Sequence, residues 1–517
     1  MIGPIKFNFS ILNFGNSKVN MVYFNDMHGS LSNLDSFISA RDEFYRNNEN
    51  EGTNWTVSSG DIFIKGSPNN DVVAKFVKKY VDVSAIGNHE LNNTREFSKL
   101  IEKFKLDNKF LGANIQVSPD APVNIKNQIN SSVFIQDGSE KIGFIGLAPM
   151  DLDKHLAINP NNDFVSVADV RTTVEAIREE VAKLEDAGID KIVLLAHTGE
   201  YTDNGQDLYK MFARIGGIDV IIGGHDHIHT DRWERSSRRK SDGSGEYEPV
   251  KIVATGHQKK KYFGGNLDVF GTLNLVFDDN GVLIPEQTEN HTYDTAMFPP
   301  ADFVSKHINP ANKRVVGYLA ESVVNHANPY KNENIVANII ADSDFWYVTK
   351  HAKEGELPDF GFVNPGTVRD SFRSTKITLK DVQQVLPFSE NLLTIQMNKK
   401  QIYAFLSACA KFIKGDTNSP GVIQVSHLSY KINPDCSVTN VKILDDFGNV
   451  RYNLDEMNDN AKFICVADDF LINVKKYSKY FNSPVIDRFE ISRAEALQIY
   501  LNHSEHIVDY KSNRITT

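Results

Sequence analysis

Five predicted strands in the first half of the chain are each followed by histidine, aspartate or asparagine. The apolar runs at residues 19–25 and 191–196 have the composition of buried strands, and helix-like segments separate such runs. This alternation predicts a layered α/β domain. In open α/β sheets, ligands bind at the carboxyl ends of the strands. We therefore expect one polar cluster there, formed by Asp26, His28, Asp61, Asn88, His89, His197, His225 and His227.

Each of these residues alone is a weak signal, because a single aspartate or histidine after a strand is usually a turn or capping residue. Together they indicate a metal site. Mixed carboxylate, imidazole and amide ligands suit zinc, manganese or iron, and not calcium. All but His89 are candidate ligands, which is too many for one tetrahedral ion. We therefore predict two divalent ions, zinc or manganese, which can hold a phosphate and activate water near neutral pH.

Five short blocks carry a family resemblance: FNDMHG, SSGD, GNHE, AHTG and GGHDH, in that order. They resemble the signature blocks of calcineurin-like metallophosphoesterases, in the branch of 5'-nucleotidases and 2',3'-cyclic-nucleotide phosphodiesterases. The resemblance extends from residue 19 to the end of the chain. It implies one metal held by Asp26, His28 and His227, a second held by Asn88, His197 and His225, and Asp61 as the bridge. It also implies that His89 contacts the phosphate and stabilises the leaving oxygen.

Two positions depart from the family pattern. His227 stands where the nucleotidase branch often has glutamine or asparagine, and it is still a competent ligand. Asn92 stands where an aspartate usually pairs with the catalytic histidine. Asn92 can orient His89 by a hydrogen bond, although it has no charge to favour the imidazolium. The alternatives are that Asn92 caps the following helix, or that another carboxylate replaces the aspartate.

The second half of the chain resembles the nucleotidase family less closely. The block FVNPGTVR implies that Asn364 and Arg369 contact the substrate, and the segments LPF and VADDFL imply that Phe388 and Phe470 stack on a base. Stacking contributes about 1–3 kcal/mol per base and tolerates different bases. Judged singly, each phenylalanine is a core residue and Arg369 a surface ion pair. Residues 472–477 replace the glycine-rich stretch of the family, and Asn332 stands where an arginine is expected.

The 517 residues exceed the size of a typical single core, so two domains are expected. Prolines at 285, 299 and 300 indicate the end of the alternating strand and helix pattern, and residues 303–324 have a helical pattern. We predict a metallophosphoesterase domain over 18–298, a connecting helix over 299–331, and an α+β substrate-specificity domain over 332–517. The polar stretch at 234–248 is interpreted as a surface loop.

Composition limits the partners. The formal net charge of -11 argues against a nucleic-acid polymer, which favours a basic face, but is compatible with a small nucleotide beside metal ions. No run approaches the roughly 20 apolar residues needed to span a bilayer. The chain lacks a signal-peptide pattern, which predicts a cytoplasmic protein, or an exported one if a leader was removed. Three cysteines without a CxxC pair argue against a disulfide framework.

These features predict a metal-dependent hydrolase that releases phosphate from nucleoside 5'-monophosphates or related nucleotides. One alternative is a phosphodiesterase that acts on 2',3'-cyclic or dinucleotide substrates with the same metals. A second alternative is a non-catalytic nucleotide-binding or sensor protein. Asn92 and the missing glycine-rich stretch motivate that alternative, and the complete set of metal ligands argues against it.

Overall fold

The computed structural model describes residues 16–152, 164–202, 204–256, 267–323, 330–415, 419, 421–503 and 513–516. The strands of the first half are β1 (Ser17–Phe24), β2 (Thr53–Ser58), β3 (Val83–Ala85), β4 (Phe110–Leu111), β5 (Ile115–Val117), β6 (Ser132–Asp137), β7 (Glu140–Leu147), β8 (Val165–Val167), β9 (Ile192–Ala196), β10 (Val220–Gly223), β11 (Thr230–Arg239), β12 (Tyr247–Ala254), β13 (Val269–Phe277) and β14 (Glu289–Asp294). The helices are α1 (Leu34–Asn47), α2 (Asn70–Tyr80), α3 (Asn88–Leu91), α4 (Thr94–Phe104), α5 (Val123–Gln128), α6 (Val170–Asp186) and α7 (Leu208–Ala213).

Two sheets pack face to face in the first half of the chain. In the described residues, one has the order β14-β13-β1-β2-β3-β4 and the other the order β11-β12-β10-β9-β7-β6. Side chains alternate along a strand, so Met21 and Tyr23 of β1 face the second sheet, where they join Leu195 and Ile222 in one buried cluster. The intervening residues of β1 face the helices on the outside.

Helices cover both outer faces. Val22 and Phe24 of β1 pack with Phe37 of α1 and Phe76 of α2. On the other side, Ile177, Val181 and Leu184 of α6 pack against the second sheet, at the spacing of one helix face. The result is a helix–sheet–sheet–helix stack, which confirms the predicted layered α/β class. The carboxyl ends of β2 and β10, from different sheets, lie at the same end of the stack, since Ser59 Oγ donates to Gly223 O at 2.6 Å.

The remaining strands are β15 (Val315–Tyr318), β16 (Phe360–Val363), β17 (Lys376–Thr378), β18 (Asn391–Asn398), β19 (Gln424–Ser426), β20 (Leu428–Ile432), β21 (Val438–Leu444), β22 (Val450–Asn453), β23 (Lys462–Asp468), β24 (Val485–Ser492) and β25 (Ile515–Thr516). The helices are α8 (Phe303–His307), α9 (Ile335–His351), α10 (Leu379–Val385), α11 (Lys399–Ala410), α12 (Asp469–Asn473), α13 (Lys475–Ser478) and α14 (Arg493–His503). A mixed sheet with the order β19-β16-β23-β18-β24 lies at the centre. This half has the predicted α+β character.

The single connecting helix predicted over residues 303–324 is wrong. Helix α8 ends at His307, and Pro310 begins a short 3₁₀ turn. A residue before proline disfavours the α conformation, and proline lacks the backbone donor that a continuing helix needs. The chain then enters β15, which pairs antiparallel with β17. The described residues of 299–331 are therefore a short helix, turns and a strand, and the domain limits 18–298 and 332–517 stay a prediction.

The interpretation of the stretch at 234–248 as a surface loop is also wrong. It is mostly a hairpin, in which β11 pairs antiparallel with β12 from Thr230 opposite Ala254 to Arg239 opposite Tyr247. The guanidinium carbons of Arg235 and Arg239 lie 5.0 and 4.6 Å from the centroid of the Tyr247 ring, so cation–π contacts stabilise the hairpin. The strand β11 is polar because it lies at the edge of the sheet. Among the described helices, none is long and apolar enough to cross a membrane.

Candidate metal centre

The loops after β1 and β2 hydrogen-bond to each other beyond the ends of the strands. Asp26 N donates to Gly60 O at 3.0 Å, and His28 N donates to Asp61 O at 2.8 Å. Asp26, His28 and Asp61 have φ angles of 55°, 51° and 54°. The left-handed region is unfavourable for residues other than glycine, and such strain is concentrated at functional sites. The paired loops thus impose an unfavourable backbone on three predicted ligands.

The side chains of six strand-end residues form one compact group: Asp26, His28, Asp61, His89, His197 and His227. We call it the strand-end cluster. Within it, the ligand atoms of three triplets lie within 4.8 Å of one another: Asp26, His28 and His227; His28, Asp61 and His89; Asp26, Asp61 and His197. The first triplet is the ligand set that the family resemblance implies for one metal. Asp61 belongs to the other two, as a central carboxylate does.

Asp61 Oδ2 lies at the middle of this cluster. It is 3.3 Å from His28 Nε2 and 3.2 Å from His197 Nε2. His227 Nε2 lies 3.3 Å from Asp26 Oδ1. Asp26 and His197 are completely buried, so these polar atoms have lost their water. Buried polar atoms need partners, and this arrangement supplies a concentrated set of lone pairs.

The hydrogen bonds around the cluster leave its inner atoms available to a metal. His197 Nδ1 lies 2.6 Å from the carbonyl oxygen of Ser59, to which it donates, so Nε2 is the ring nitrogen that faces the carboxylates. Among the described residues, four buried atoms of the cluster and its edge have no hydrogen-bond partner: Asp26 Oδ1, His28 Nδ1, Asn88 Oδ1 and His197 Nε2. Each belongs to a predicted ligand. An orphaned set of carboxylate, amide and imidazole atoms fits divalent metal ions.

The charges of the cluster depend on one another. Burial alone raises the pKa of Asp26 and Asp61, but the surrounding imidazoles outweigh it and hold both pKa values below the usual range. Burial likewise lowers the pKa of His197, but Asp61 and Asp26 reverse this and raise it to about 10. The cluster thus contains two buried carboxylates whose negative charge must be balanced. Protonated imidazoles or divalent cations can supply the positive charge.

Two glycines of the motifs are required by close packing around the cluster. A Cβ atom at Gly87 would lie 2.0 Å from Asp61 Oδ1, and one at Gly60 would lie 2.7 Å from His197 Nδ1. Any side chain at these positions would displace a predicted ligand. The glycines in SSGD and GNHE are therefore part of the site.

His225 and Asn88, the remaining predicted ligands, lie at the edge of the cluster. The His225 ring centroid is 5.2 Å from that of His197. His225 Nε2 lies 3.4 Å from Asp151 Oδ1, a carboxylate that the sequence analysis did not single out. Asn88 begins α3, and its buried amide oxygen is one of the orphaned atoms. The structure therefore brings all seven predicted ligands to the same end of the stack.

Glu90 is a second residue that the sequence analysis missed. Its carboxylate is buried and accepts hydrogen bonds from three backbone N–H groups, those of Gly87 at 2.8 Å, Asp61 at 3.1 Å and Phe63 at 2.8 Å. It thereby joins the loop after β3 to the loop after β2. Its position in the GNHE block could have identified it, because a charged side chain next to metal ligands usually has a partner.

Asn92 contacts His89, and the neighbouring residue is the helix cap. Asn92 Nδ2 lies 3.3 Å from His89 Nδ1. Asn93 caps α4, since its side chain accepts from Glu96 N. The capping alternative for Asn92 is therefore wrong. With the amide as donor, His89 Nδ1 accepts and Nε2 carries the proton, 3.8 Å from Asp61 Oδ2.

Two predicted substrate residues from the second half of the chain reach the cluster. The Phe388 ring centroid is 6.4 Å from that of His89, and the guanidinium carbon of Arg369 is 5.6 Å from the Phe388 centroid. Burial, followed by the charge of Arg369, lowers the pKa of His28. Burial also lowers the pKa of His89 to about 4, with Asp61 opposing and Arg369 assisting. The positive charge of Arg369 therefore acts on the imidazoles of the first half.

Asn364 and Phe470, the other two predicted substrate residues, belong to the second half of the chain. Asn364 is buried after β16, and its amide oxygen has no hydrogen-bond partner among the described residues. Phe470 lies in α12 and is half-buried, with its ring centroid 5.9 Å from that of Tyr477. Asp468 caps α12 by accepting from Leu471 N. Phe470 thus packs at the rim of the C-terminal core and is only partly enclosed by it.

Two family models match this chain. The calcineurin-like phosphoesterase model matches residues 20–229, which include the whole strand-end cluster, and the 5'-nucleotidase C-terminal domain model matches residues 315–481. Calcineurin-like phosphoesterases use divalent metals, and the strand-end cluster is a candidate site for them.

Individual relatives agree with these matches. Snake venom 5'-nucleotidase of Naja atra is 25% identical over 337 residues, which cover 61% of this chain and 60% of that protein. Apyrase of Aedes albopictus is 23% identical over 427 residues, which cover 78% of this chain and 71% of that protein. This chain therefore matches 60% of the length of the venom protein.

A solved structure shows the same fold across both halves. The crystal structure of a 5'-nucleotidase precursor from Thermus thermophilus has a TM-score of 0.71 and 20% identity, and the match covers 96% of this chain and 99% of that one. The segments matched by the two family models contain every block from FNDMHG to FVNPGTVR. Residues 20–229 of this chain therefore match the calcineurin-like phosphoesterases, and residues 315–481 match the C-terminal domain of 5'-nucleotidases.

Proposed function

We propose that the protein is a metal-dependent phosphatase that releases phosphate from nucleoside 5'-monophosphates or related nucleotides. One observation carries this proposal. Arg369 and Phe388, from the second half of the chain, lie beside His89 at the strand-end cluster of the first half. A cation and an aromatic face thus adjoin a cluster suited to divalent metals, and a nucleotide offers a phosphate and a base to match.

Two divalent ions, zinc or manganese, are proposed as the cofactors. Asp26, His28 and His227 would hold one ion, Asn88, His197 and His225 the other, and Asp61 would bridge them. The mixture of oxygen and nitrogen ligands supports borderline ions of this kind. Two such ions would supply an activated water and neutralise charge on the phosphoryl group.

His89 is proposed to stabilise the leaving oxygen. Because Asn92 donates to its Nδ1, the imidazole carries a proton on Nε2 and can donate a hydrogen bond from there. That donor lies on the side of Asp61 and Arg369, where a phosphoryl group would be bound. Its contribution would be greatest as the phosphorus–oxygen bond breaks and charge develops on the leaving oxygen.

The second half is proposed to bind the rest of the substrate. The Arg369 guanidinium presents planar donors that match phosphate oxygens. The orphaned amide oxygen of Asn364 is available to accept from a substrate hydroxyl. Phe388 and Phe470 are half-buried and would stack on a base. Binding energy from these contacts would orient the phosphate for attack.

Turnover of three substrates tests the proposal, followed as phosphate release from AMP and p-nitrophenyl phosphate and as ring opening to a nucleoside monophosphate for 2',3'-cyclic AMP. Protein stripped with a chelator is reloaded with zinc or manganese and given AMP, 2',3'-cyclic AMP and p-nitrophenyl phosphate. We expect metal-dependent release of phosphate, with the highest kcat/KM for AMP. Preferential turnover of the cyclic substrate would assign the phosphodiesterase alternative. Nucleotide binding without turnover, at full metal content, would assign the sensor alternative.

A further inference from the structure

A hydrogen bond joins the metal-ligand loop to the loop of Arg369. Ser32 Oγ donates to Asp370 Oδ2 at 2.5 Å, across 338 residues of sequence. Ser32 lies on the loop after β1, which also carries Asp26 and His28, and Asp370 directly follows Arg369. Ser32 is 7% exposed and the Asp370 side chain 10% exposed, so this bond competes little with water.

The two oxygens of Asp370 have separate partners. Oδ1 accepts from Ser371 N at 2.8 Å and from Arg373 Nη2 at 3.1 Å, within its own loop. Oδ2 accepts from Ser32. Contacts within its own loop therefore orient the Asp370 carboxylate. The hydrogen bond from Ser32 then joins that loop to the first half of the chain.

The backbone on both sides of the Arg369 side chain is fixed. Arg369 N donates to Val385 O at 2.9 Å, at the end of α10. Gln384 Nε2, from the same helix, donates to Ser32 Oγ at 3.4 Å. Arg369 thus lies between a contact to α10 and the contact of Asp370 to Ser32, and its guanidinium lies over Phe388, beside His89.

We propose that Ser32 and Asp370 are positioning residues, which hold Arg369 at the strand-end cluster so that its guanidinium meets the phosphoryl group. This inference rests on the proposed phosphatase function and adds to it the contact that joins the metal loop to the phosphate-binding arginine. A long arginine side chain loses conformational entropy when it binds, and a fixed backbone reduces that loss. The hydrogen bond would therefore act on phosphate affinity through Arg369.

A double-mutant cycle on phosphate affinity separates this role from general stabilisation. Binding of inorganic phosphate to the zinc-loaded protein is measured by calorimetry for wild type, Ser32→Ala, Arg369→Met and the double variant. Asp370→Ala is a second route to the same loss if Ser32→Ala folds poorly. Ser374→Ala is the matched control, because Ser374 Oγ accepts from Lys376 N within the C-terminal half.

We expect Ser32→Ala to weaken phosphate binding about threefold to thirtyfold, which lies within the range of couplings between contacting residues. In the Arg369→Met background, the same change should alter affinity less than about twofold. Ser374→Ala should bind phosphate as wild type does. Equal effects of Ser32→Ala in both backgrounds, or no effect in either, would overturn the inference.

Turnover of AMP distinguishes failure of this inference from failure of the proposed function. If wild type hydrolyses AMP but the Ser32 and Arg369 effects on phosphate affinity are additive, the phosphatase stands and the positioning role is wrong. If the effects are coupled but AMP is not hydrolysed, the positioning role stands and the proposed activity is wrong.

Discussion

The Asn92 amide nitrogen lies 3.3 Å from His89 Nδ1, while the adjacent Asn93 caps α4. Two consecutive asparagines thus have different roles: Asn92 contacts the histidine of the site, and Asn93 caps a helix. The sequence alone left open which task Asn92 has. This difference allows catalysis and stability to be tested separately.

His89→Ala is expected to reduce turnover by about 10²–10⁴-fold, the usual contribution of a positioned acid or base. The metals should be retained, because His89 is not among the proposed ligands. Initial rates on a substrate with a poor leaving group, with metal analysis of the same sample, check this. His291→Ala serves as the control, since His291 is exposed on β14. A His89 variant with a nearly unchanged rate would contradict the assigned role.

Asn92→Ala and Asn93→Ala form a matched pair. Loss of the partner of His89 should lower kcat by about tenfold or more, the usual cost of removing an orienting hydrogen bond. Loss of the α4 cap should lower the free energy of unfolding by about 1 kcal/mol and leave kcat unchanged. Steady-state kinetics and urea unfolding of both variants check this. If Asn93→Ala affects kcat as strongly as Asn92→Ala does, the separation fails.

Asp61→Asn is expected to lower the occupancy of both proposed metal positions, since its carboxylate is shared by two ligand triplets. Wild type should bind two divalent ions per chain, and the variant should fall clearly below this at the same free metal concentration. Elemental analysis after dialysis measures both. Asp71→Asn is the control, because Asp71 pairs with Lys103 at the surface. One ion per chain in saturated wild type would contradict the two-metal proposal.

Replacement of both Phe388 and Phe470 by leucine keeps apolar bulk and removes two aromatic faces. The double variant should lose about 2–6 kcal/mol of transition-state binding for AMP, the sum of two stacking contacts. It should keep nearly full kcat/KM for p-nitrophenyl phosphate, which does not need both rings. Phe447→Leu is the control, because Phe447 is 89% exposed on a distant turn. Equal losses on both substrates would mean that the two rings are core residues.

Asp344 should make stability fall as pH rises from about 4 to 7. Burial raises the pKa of Asp344 to about 7, opposed by Arg493 and assisted by Asp468. The folded protein therefore keeps a proton that the unfolded chain releases above its ordinary pKa of 3.8. In Asp344→Asn this contribution is absent. The free energy of unfolding of wild type relative to Asp344→Asn should decline between about pH 4 and 7 and then level off, as urea unfolding can measure. A difference that grows with pH would contradict this.

Much of the candidate site could be predicted from the sequence. Asp61, His197 and His225 each follow a short apolar run, so strand ends could be located without knowing how the strands pair. The glycine and histidine blocks then selected the family. This part of the prediction needed only residues that are close to one another in sequence.

Contacts between distant segments could not be predicted in this way. The pairing of β1 with β13 depends on residues about 250 positions apart, and Ser32 meets Asp370 across 338. Neither serine nor aspartate shows a periodic pattern at these places. The prediction of a connecting helix was wrong for a local reason. It gave more weight to the apolar pattern of residues 303–324 than to the proline at 310. Sequence periodicity reports which face is buried and not which segment covers it.

The left-handed backbone at the strand ends has a consequence for engineering. Asp26, His28, Asp61, His225 and His227 all have positive φ, and each costs about 1–2 kcal/mol relative to a residue that tolerates that conformation. A screen of variants for melting temperature alone, without metal, would favour glycine or asparagine at these five positions. Selection for heat resistance would thereby remove the proposed ligands first, whereas selection in the presence of zinc would retain them.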